Sequence, residues 1–234
     1  MRNRWVAACN RGYFSVMHFV VRHLSPVGLG PVWGHDSFPW LAHVEARHAE
    51  IVAEMQAYLA SGRTMLDKEE LLPGQTSQFG AERWEMLHLM SYGERLEHLI
   101  AHFPATMAAV AAVPHACSVM FSRLPPERRT IPRHRDAKSG TLRLHLGLQV
   151  PTSGACYIGV GDQTAHWQEG RAFVIDASAP HHVLKEAHEQ RVILIVDFVR
   201  PMANWLRWLS YRQFIKHVSF DPLRSAYRAG EPRP

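Results

Sequence analysis

The sequence predicts a mainly β protein with a helical cover (α+β), built as a β-sandwich or jelly roll. Two observations predict this class. The first half carries an amphipathic helical pattern, and the second half carries short strand-like runs separated by turn signals, with no helical pattern between them. The 234-residue chain is 47% apolar, so it can bury a sizeable core. We expect one domain over residues 36–201, between an N-terminal arm (1–35) and a C-terminal tail (202–234).

The helical cover is predicted over residues 36–115. From Pro39 to about Ala60, apolar residues recur every three or four positions, which predicts one amphipathic helix. A polar connection runs from Gly62 to Gly80, and Pro104 then begins a second helical region over Phe103–Val113. We expect both helices to cover an apolar surface.

The core of the domain is predicted over residues 116–201. The strand-like runs are Cys117–Leu124, Thr141–Val150, Ala155–Val160, Arg171–Ile175 and Gln190–Val199. Because they follow one another closely, the sequence favours an antiparallel sandwich or jelly roll over alternating strands and helices.

The charge pattern distinguishes the tail from the domain. The chain carries a formal net charge of +5, and the tail has six basic residues against two acidic ones on an amphipathic pattern. Such a segment can rest on an anionic membrane, or it can pack its apolar stripe on the domain. No zinc finger, RNA-binding aromatic motif or dense basic run occurs, so we expect no nucleic-acid partner.

The N-terminal run Tyr13–Leu24 is interrupted by His18, Arg22 and His23 and is shorter than the ~20 residues of a spanning helix. No signal peptide is recognisable. The three cysteines form no C-x-x-C pair, which favours a reducing compartment. We expect a cytoplasmic protein that can associate with the cytoplasmic face of a membrane.

One group of residues has the types and the spacing of a metal site. His134-Arg135-Asp136 forms an H-x-D motif, and His181 follows 47 residues after His134. Residues i and i+2 of an extended strand face the same side, and two imidazoles with one carboxylate form the facial triad that binds Fe(II). Arg191 lies ten residues after His181, where its guanidinium can clamp the far carboxylate of a keto acid.

Three other readings use the same residues. H-R-D and Asp197-Phe198 are similar to protein-kinase motifs, but Thr141 stands where that loop needs Asn, and no Gly-rich loop precedes it. A zinc hydrolase could use His, Asp and His, but it leaves Arg191 unexplained and lacks an H-E-x-x-H helix. A metal-free β-sandwich binding module is the remaining, remote alternative.

Five blocks in order carry a family resemblance. They are His134–Asp136, Leu142–Pro151, His166–Gly170, Asp176–Ser178 with His181, and Arg191–Asp197 with Arg200–Pro201. Over roughly residues 83–201 the chain resembles the aspartyl/asparaginyl β-hydroxylase family of Fe(II)/2-oxoglutarate-dependent dioxygenases. The resemblance implies a double-stranded β-helix (cupin-like jelly roll) and an oxidoreductase that uses Fe(II), O₂ and 2-oxoglutarate, which it decarboxylates to succinate.

The resemblance also implies residue roles. His134 and His181 match the iron ligands, and Asp136 stands where peptide-modifying members have Gly, so a complete triad is available here. The residues that match 2-oxoglutarate contacts are Arg191, Arg143, His145 and Ser122. The spacing to Arg191 favours His181 over His182 as the ligand.

The substrate is left open between two classes. We favour hydroxylation at the β-carbon of an aspartyl, asparaginyl or other amino-acid group, free, in a peptide or on a carrier. The alternative is the acyl chain of a lipid A-type glycolipid. Trp167 is expected in the core and not at the substrate. Trp84, His88 and Tyr92 are candidates for the substrate entrance, but we expect them to pack against the helical cover.

Overall fold

The computed structural model describes residues 19–20, 22–71, 83–136, 140–207 and 227. Most of the C-terminal tail (202–234) and most of the run Tyr13–Leu24 therefore lie outside the described residues. Within the described part, no helix combines the length and hydropathy needed to cross a bilayer. Tyr227 is the one described residue beyond 207, and its hydroxyl accepts a hydrogen bond from the backbone N–H of His88 at 2.6 Å.

The chain forms short helices and strands in the following order. The helices are α1 (Leu41–Glu45), α2 (His48–Ala60), α3 (Lys68–Leu71), α4 (Glu97–Ile100) and α5 (Pro104–Val110). The strands are β1 (Val32–Trp33), β2 (Leu66–Asp67), β3 (Glu85–Ser91), β4 (Glu94–Arg95), β5 (Ala116–Leu124), β6 (Thr130–His134), β7 (Thr141–Gln149), β8 (Cys156–Val160), β9 (Gln163–His166), β10 (Ala172–Ile175), β11 (His181–Lys185) and β12 (Arg191–Val199).

Two antiparallel sheets enclose one hydrophobic core. The larger sheet has the order β1-β10-β7-β12-β5-β3-β2, with β4 on β3, and the smaller has the order β6-β11-β8-β9. From β5 to β12 the chain winds between the sheets, so that β5, β12, β7 and β10 are neighbours in one and β6, β11, β8 and β9 in the other. This winding is the double-stranded β-helix, and it confirms the predicted fold class.

The predicted strands and helices agree with the structure in different degrees. Each of the five predicted strands is present within one residue of its expected ends. The single helix predicted from Pro39 to Ala60 is instead the pair α1 and α2, because Arg47 leaves the helical conformation at φ −97°, ψ 9°. The second helical region is present as α5, with Pro104 in its first turn.

Seven further strands were not predicted from the sequence, three of which (β1, β2 and β4) have only two residues each. Strand β3 lies inside the expected helical cover, where its nearly uniform burial leaves no alternation to read. Strands β6, β9 and β11 are rich in polar residues, so they show no hydrophobic pattern that would predict a strand. They join the sheet by pairing with neighbouring strands. The domain boundaries themselves stay a prediction.

The helices cover the outer face of the larger sheet through aromatic contacts. Tyr58 of α2 lies 5.2 Å from Phe103, and Phe103 lies 5.0 Å from Phe121 of β5, measured between ring centroids. Phe121 and Ser122 are adjacent on the strand and therefore face opposite sides of the sheet. With Phe121 under the helices, Ser122 faces the interior of the sandwich.

Gly147 allows the chain to cross strand β7 at close range. A Cβ at this position would overlap the carbonyl oxygen of Gln168. The crossing segment is held there by a 3.0 Å hydrogen bond from the Gly170 N–H to the Gly147 carbonyl and by one of 3.1 Å from the Gly147 N–H to the Arg171 carbonyl. This crossing brings Trp167 into the interior beside His145.

We expect Gly147→Ala to destabilise the fold by about 3 kcal/mol, because the added methyl group must displace main chain and not a movable side chain. Thermal denaturation followed by circular dichroism measures the loss as a lower Tm. Gly34→Ala is the matched control, since a Cβ there meets nothing within 4 Å. Equal Tm values for the two variants would contradict the packing role of Gly147.

Candidate active site

Two histidines and one aspartate meet where strands β6 and β11 lie side by side. His134 ends β6, His181 begins β11, and the two residues are paired directly across the strands. Asp136 follows β6, and its Oδ1 lies 3.6 Å from Nε2 of His134 and 4.0 Å from Nε2 of His181. One ligand atom from each residue falls within 4.8 Å of the others, so the three can hold a metal ion.

The backbone sets both imidazoles in the tautomer that binds metals. Nδ1–H of His134 donates to the Pro132 carbonyl at 2.8 Å, and Nδ1–H of His181 donates to the Ala179 carbonyl at 2.9 Å. Because a carbonyl only accepts, the lone pair of each ring is on Nε2, which faces Asp136. Burial lowers the pKa of His134 and lowers that of His181 to about 4, so both rings are neutral at physiological pH.

The turn before His181 is fixed by a buried ion pair. Asp176 accepts a 2.6 Å hydrogen bond from Nη2 of Arg200, and both side chains are 1% exposed. Its other oxygen accepts from the Ser178 N–H at 3.0 Å, and the Asp136 N–H donates to the Ala177 carbonyl at 3.0 Å. One turn therefore positions Asp136 and His181 together.

Arg143 joins Asp136 to Asp197. Its Nη1 donates to Asp136 Oδ2 at 2.6 Å, while Nε and Nη2 donate to the two oxygens of Asp197 at 2.6 and 3.0 Å. One oxygen of Asp136 is thus held by Arg143 and the other faces the histidines. Burial alone would raise the pKa of Asp136, but the opposite effect, led by the positive charge of Arg143, is stronger and holds the pKa below its ordinary value.

Deeper in the interior, Arg191 lies among neutral side chains. Its Nη2 donates to Ser122 Oγ at 3.2 Å, and its guanidinium carbon lies 4.7 Å from the centre of the Trp167 ring. The side chain is 1% exposed, its Nε has no hydrogen-bond partner, and no carboxylate of the described residues pairs with it. Burial lowers its pKa to about 10, so the guanidinium is still charged at neutral pH.

His145 adds a second unsatisfied donor. The Trp167 indole N–H donates to its Nδ1 at 3.3 Å, which leaves the proton of the ring on Nε2. That Nε2 is buried and has no partner among the described residues. Burial, with Arg143 and Arg191 nearby, lowers the pKa of His145 well below its usual value, so the ring is neutral.

These donors define an anion pocket, the group Ser122, His145, Trp167 and Arg191. A buried cation without a carboxylate partner and a buried N–H without an acceptor are costly, since most such groups in folded proteins are paired. A carboxylate satisfies both at once. The pocket therefore suits an anionic ligand.

The structure thus brings His134, Asp136 and His181 together, and separately Ser122, His145 and Arg191. Arg143 lies against Asp136 and Asp197 and does not lie against Arg191.

His182, the residue after His181, points to the other side of strand β11. There it packs on Gly159, and its ring lies 6.1 Å from the ring of Tyr157.

Sequence reasoning missed three contacts. Trp167 is buried as expected but also contacts both donors of the anion pocket. The indole N–H of Trp84, which was expected to pack against the helices, donates to Ser122 Oγ at 2.9 Å. The sequence draws attention to Asp197 only through the similarity to a kinase motif, and not as a partner of Arg143. Asp197 and Arg191 lie an even number of residues apart on strand β12, and this spacing indicates that both side chains face the same side of the sheet.

The sequence of the chain is similar to those of known proteins. Residues 45–201 match the sequence model of the family described as aspartyl/asparaginyl beta-hydroxylase. The chain is 33% identical over 186 residues to an ornithine lipid ester-linked acyl 2-hydroxylase of Rhizobium tropici, a match that covers 79% of this chain and 66% of that protein. It is 27% identical over 179 residues to the human aspartyl/asparaginyl beta-hydroxylase, covering 72% and 23% of the respective chains.

The chain spans less than two thirds of the length of either relative. Among solved structures, an oxidoreductase of the 2OG-Fe(II) oxygenase family from Burkholderia pseudomallei is 14% identical. That likeness covers 65% of this chain and 80% of the other, with a TM-score of 0.46.

Proposed function

This chain belongs to the aspartyl/asparaginyl β-hydroxylase family, and from that premise we propose that it is an Fe(II)- and 2-oxoglutarate-dependent hydroxylase of a lipid acyl chain. One observation carries the proposal. Beside a metal-binding group of two histidines and an aspartate, the buried guanidinium of Arg191 has no carboxylate partner among the described residues. A ligand with a 2-oxo acid at one end and a carboxylate at the other can chelate the metal with the first group and pair with Arg191 through the second.

The metal ligands are proposed to be His134, Asp136 and His181. Two neutral imidazoles and one carboxylate suit Fe(II) and leave other coordination positions to co-substrate and O₂. With 2-oxoglutarate and O₂, Fe(II) supplies an oxidant that puts one oxygen atom into an unactivated C–H bond, while the other oxygen atom enters succinate as CO₂ is released. The protein's own contribution is to fix the ligands, through the turn at Asp176 and through Arg143.

The anion pocket is proposed to hold the far carboxylate of 2-oxoglutarate. Arg191 offers two parallel N–H donors, and the Ser122 hydroxyl and Nε2–H of His145 add neutral donors. Trp167 and Trp84 contact these groups and exclude water, which strengthens each hydrogen bond. Arg143, which the family resemblance also assigns to the co-substrate, is proposed to act chiefly by holding Asp136 ready for the metal.

The substrate proposal departs from the sequence prediction. From the residues alone, an amino-acid group was favoured and a lipid acyl chain was the alternative. The rhizobial lipid hydroxylase matches this chain at higher identity, and over more of both proteins, than the human relative does. That difference supports the acyl chain, while the human relative keeps the aspartyl or asparaginyl group as the second candidate.

Two measurements test the proposal. Anaerobic addition of Fe(II) and 2-oxoglutarate to the protein is expected to give the visible charge-transfer band of a chelated 2-oxo acid. In air, succinate release is then compared over ester-linked acyl lipids, lipid A precursors, aspartyl or asparaginyl peptides and free amino acids. We expect release to be fastest with an acyl lipid, whose chain gains the mass of one oxygen atom.

The outcomes separate the two parts of the proposal. If the band forms but only a peptide or amino acid gains oxygen, the acyl substrate is wrong and the hydroxylase stands. If the band is absent and the protein binds no iron, the hydroxylase itself is wrong.

A further inference from the structure

Four exposed apolar side chains lie in the segments that flank the domain. Of the described residues, the exposed large hydrophobic ones are Phe19 (61% exposed), Leu24 (58%), Leu29 (47%) and Trp205 (65%). The first three precede strand β1, and Trp205 follows strand β12. No other described part of the molecule exposes a large apolar side chain, so this distribution is not the scattered exposure of an ordinary surface.

Hydrogen bonds hold these two segments together. The Ser25 hydroxyl donates to the Pro201 carbonyl at 2.8 Å, and Arg200 Nη1 donates to the Gly28 carbonyl at 3.0 Å. The segment before β1 therefore lies beside the chain that leaves β12. We call the four side chains the terminal surface.

The terminal surface is tied to the turn that carries the metal ligands. Arg22 Nε lies 3.2 Å from Oδ2 of Asp176, and the Asp176 N–H donates to the Pro31 carbonyl at 3.0 Å. Asp176 also pairs with Arg200, and its turn leads directly to His181. The exposed apolar residues thus belong to segments that pack on the metal end of the sandwich.

Charge singles out the same two ends of the chain. Residues 1–35 contain four arginines and no acidic residue, and residues 202–234 contain six basic residues against two acidic ones. Because the whole chain is only +5, the residues between them carry a net negative charge. Apolar anchors with a tryptophan, flanked by basic residues, are the composition that binds an anionic lipid surface, and a protein partner would not require this excess of positive charge.

We propose that the terminal surface docks on an anionic lipid bilayer and thereby sets the metal end of the sandwich against the acyl chains. This inference rests on the proposed lipid hydroxylase function and names the surface through which that enzyme reaches its substrate. Phe19, Leu24, Leu29 and Trp205 enter the interface between headgroups and acyl chains, and the net positive charge that the sequence gives to both ends favours anionic headgroups.

The test compares vesicle binding by the wild type and by the triple variant Phe19→Ser/Leu24→Ser/Trp205→Ser. Flotation uses phosphatidylcholine vesicles with and without phosphatidylglycerol, at low and high salt. We expect the wild type to bind the anionic vesicles, high salt to weaken this binding, and the triple variant to lose at least about tenfold in partitioning. The matched control is Ala53→Ser/Gln56→Ser/Ala57→Ser, three exposed positions on α2, which leaves binding unchanged.

A second readout keeps this inference separate from the proposed function. The triple variant is expected to retain the Fe(II)–2-oxoglutarate band and to turn over a short, monomeric acyl ester at the wild-type rate. It is expected to lose activity only on acyl lipid within vesicles. Retained band and lost flotation support the terminal surface whatever the substrate proves to be.

The proposal is overturned if the wild type fails to bind anionic vesicles, or if the triple variant floats as well as the wild type. It is also overturned if the wild type is a dimer and the triple variant is a monomer that binds vesicles as the wild type does. In that case a second copy of the chain covers this surface.

Discussion

His181→Ala is expected to abolish stoichiometric iron binding and to lower kcat/KM by at least about 1,000-fold, whereas His182→Ala keeps both within about twofold of wild type. The two histidines are neighbours in sequence but face opposite sides of strand β11. His181 lies across from His134 with its Nε2 turned to Asp136. His182 packs on Gly159 and near Tyr157, away from the ligand group.

The pair of variants is a sharper test than the loss of one histidine. Each variant replaces one histidine by alanine, and the two positions are adjacent in the chain. A general effect of losing an imidazole is therefore expected in both variants. Iron per chain, the charge-transfer band and succinate release are measured for each, with Tm as the record of folding. If His182→Ala loses the iron and His181→Ala retains it, the assignment of the ligand is reversed.

The ligand set illustrates how far sequence reasoning extends. The order of His134, Asp136, His181 and Arg191 is visible in the sequence and identifies the candidate residues. Their distances depend on the register of β6 against β11, which long-range pairing sets. Because both strands are short and polar, no local hydrophobic pattern predicts them.

The anion pocket illustrates what the sequence does not contain. Among the described residues Arg191 has no carboxylate partner, and this depends on where all the neighbouring side chains lie, so one sequence position cannot show it. The same holds for Arg143, whose two carboxylate partners are seven and 54 residues away in the chain. The alternation of β12 places Arg191 and Asp197 on one face, but only the fold pairs Asp197 with Arg143 and leaves Arg191 for a ligand.

Arg191→Met is expected to raise the KM for 2-oxoglutarate by at least about 100-fold, because removing one partner of a buried charge pair costs about 3 kcal/mol. Methionine keeps the length and the apolar contact with Trp167 but offers no donor. The affinity of the protein for Fe(II) alone is expected to be unchanged, since Arg191 is not a ligand. Arg47→Met, at a surface arginine that is 43% exposed, is the control and leaves the KM unchanged.

Thermal stability then separates a ligand-binding arginine from a structural one. A buried arginine that supports the fold through ion pairs lowers the Tm when it is removed. Arg191 has no acidic partner among the described residues, so the ligand-free protein carries an uncompensated buried charge. We therefore expect the Tm of ligand-free Arg191→Met to equal or exceed that of the wild type.

With Fe(II) present, 2-oxoglutarate is expected to raise the Tm of the wild type and not that of the variant, because only the wild type gains a carboxylate partner for a charge already buried. A 2-oxo acid without the far carboxylate serves as the second probe. It gains nothing from Arg191, so it is expected to stabilise both proteins equally. A Tm that falls sharply in ligand-free Arg191→Met would instead make Arg191 a structural residue and leave the far carboxylate without its binding group.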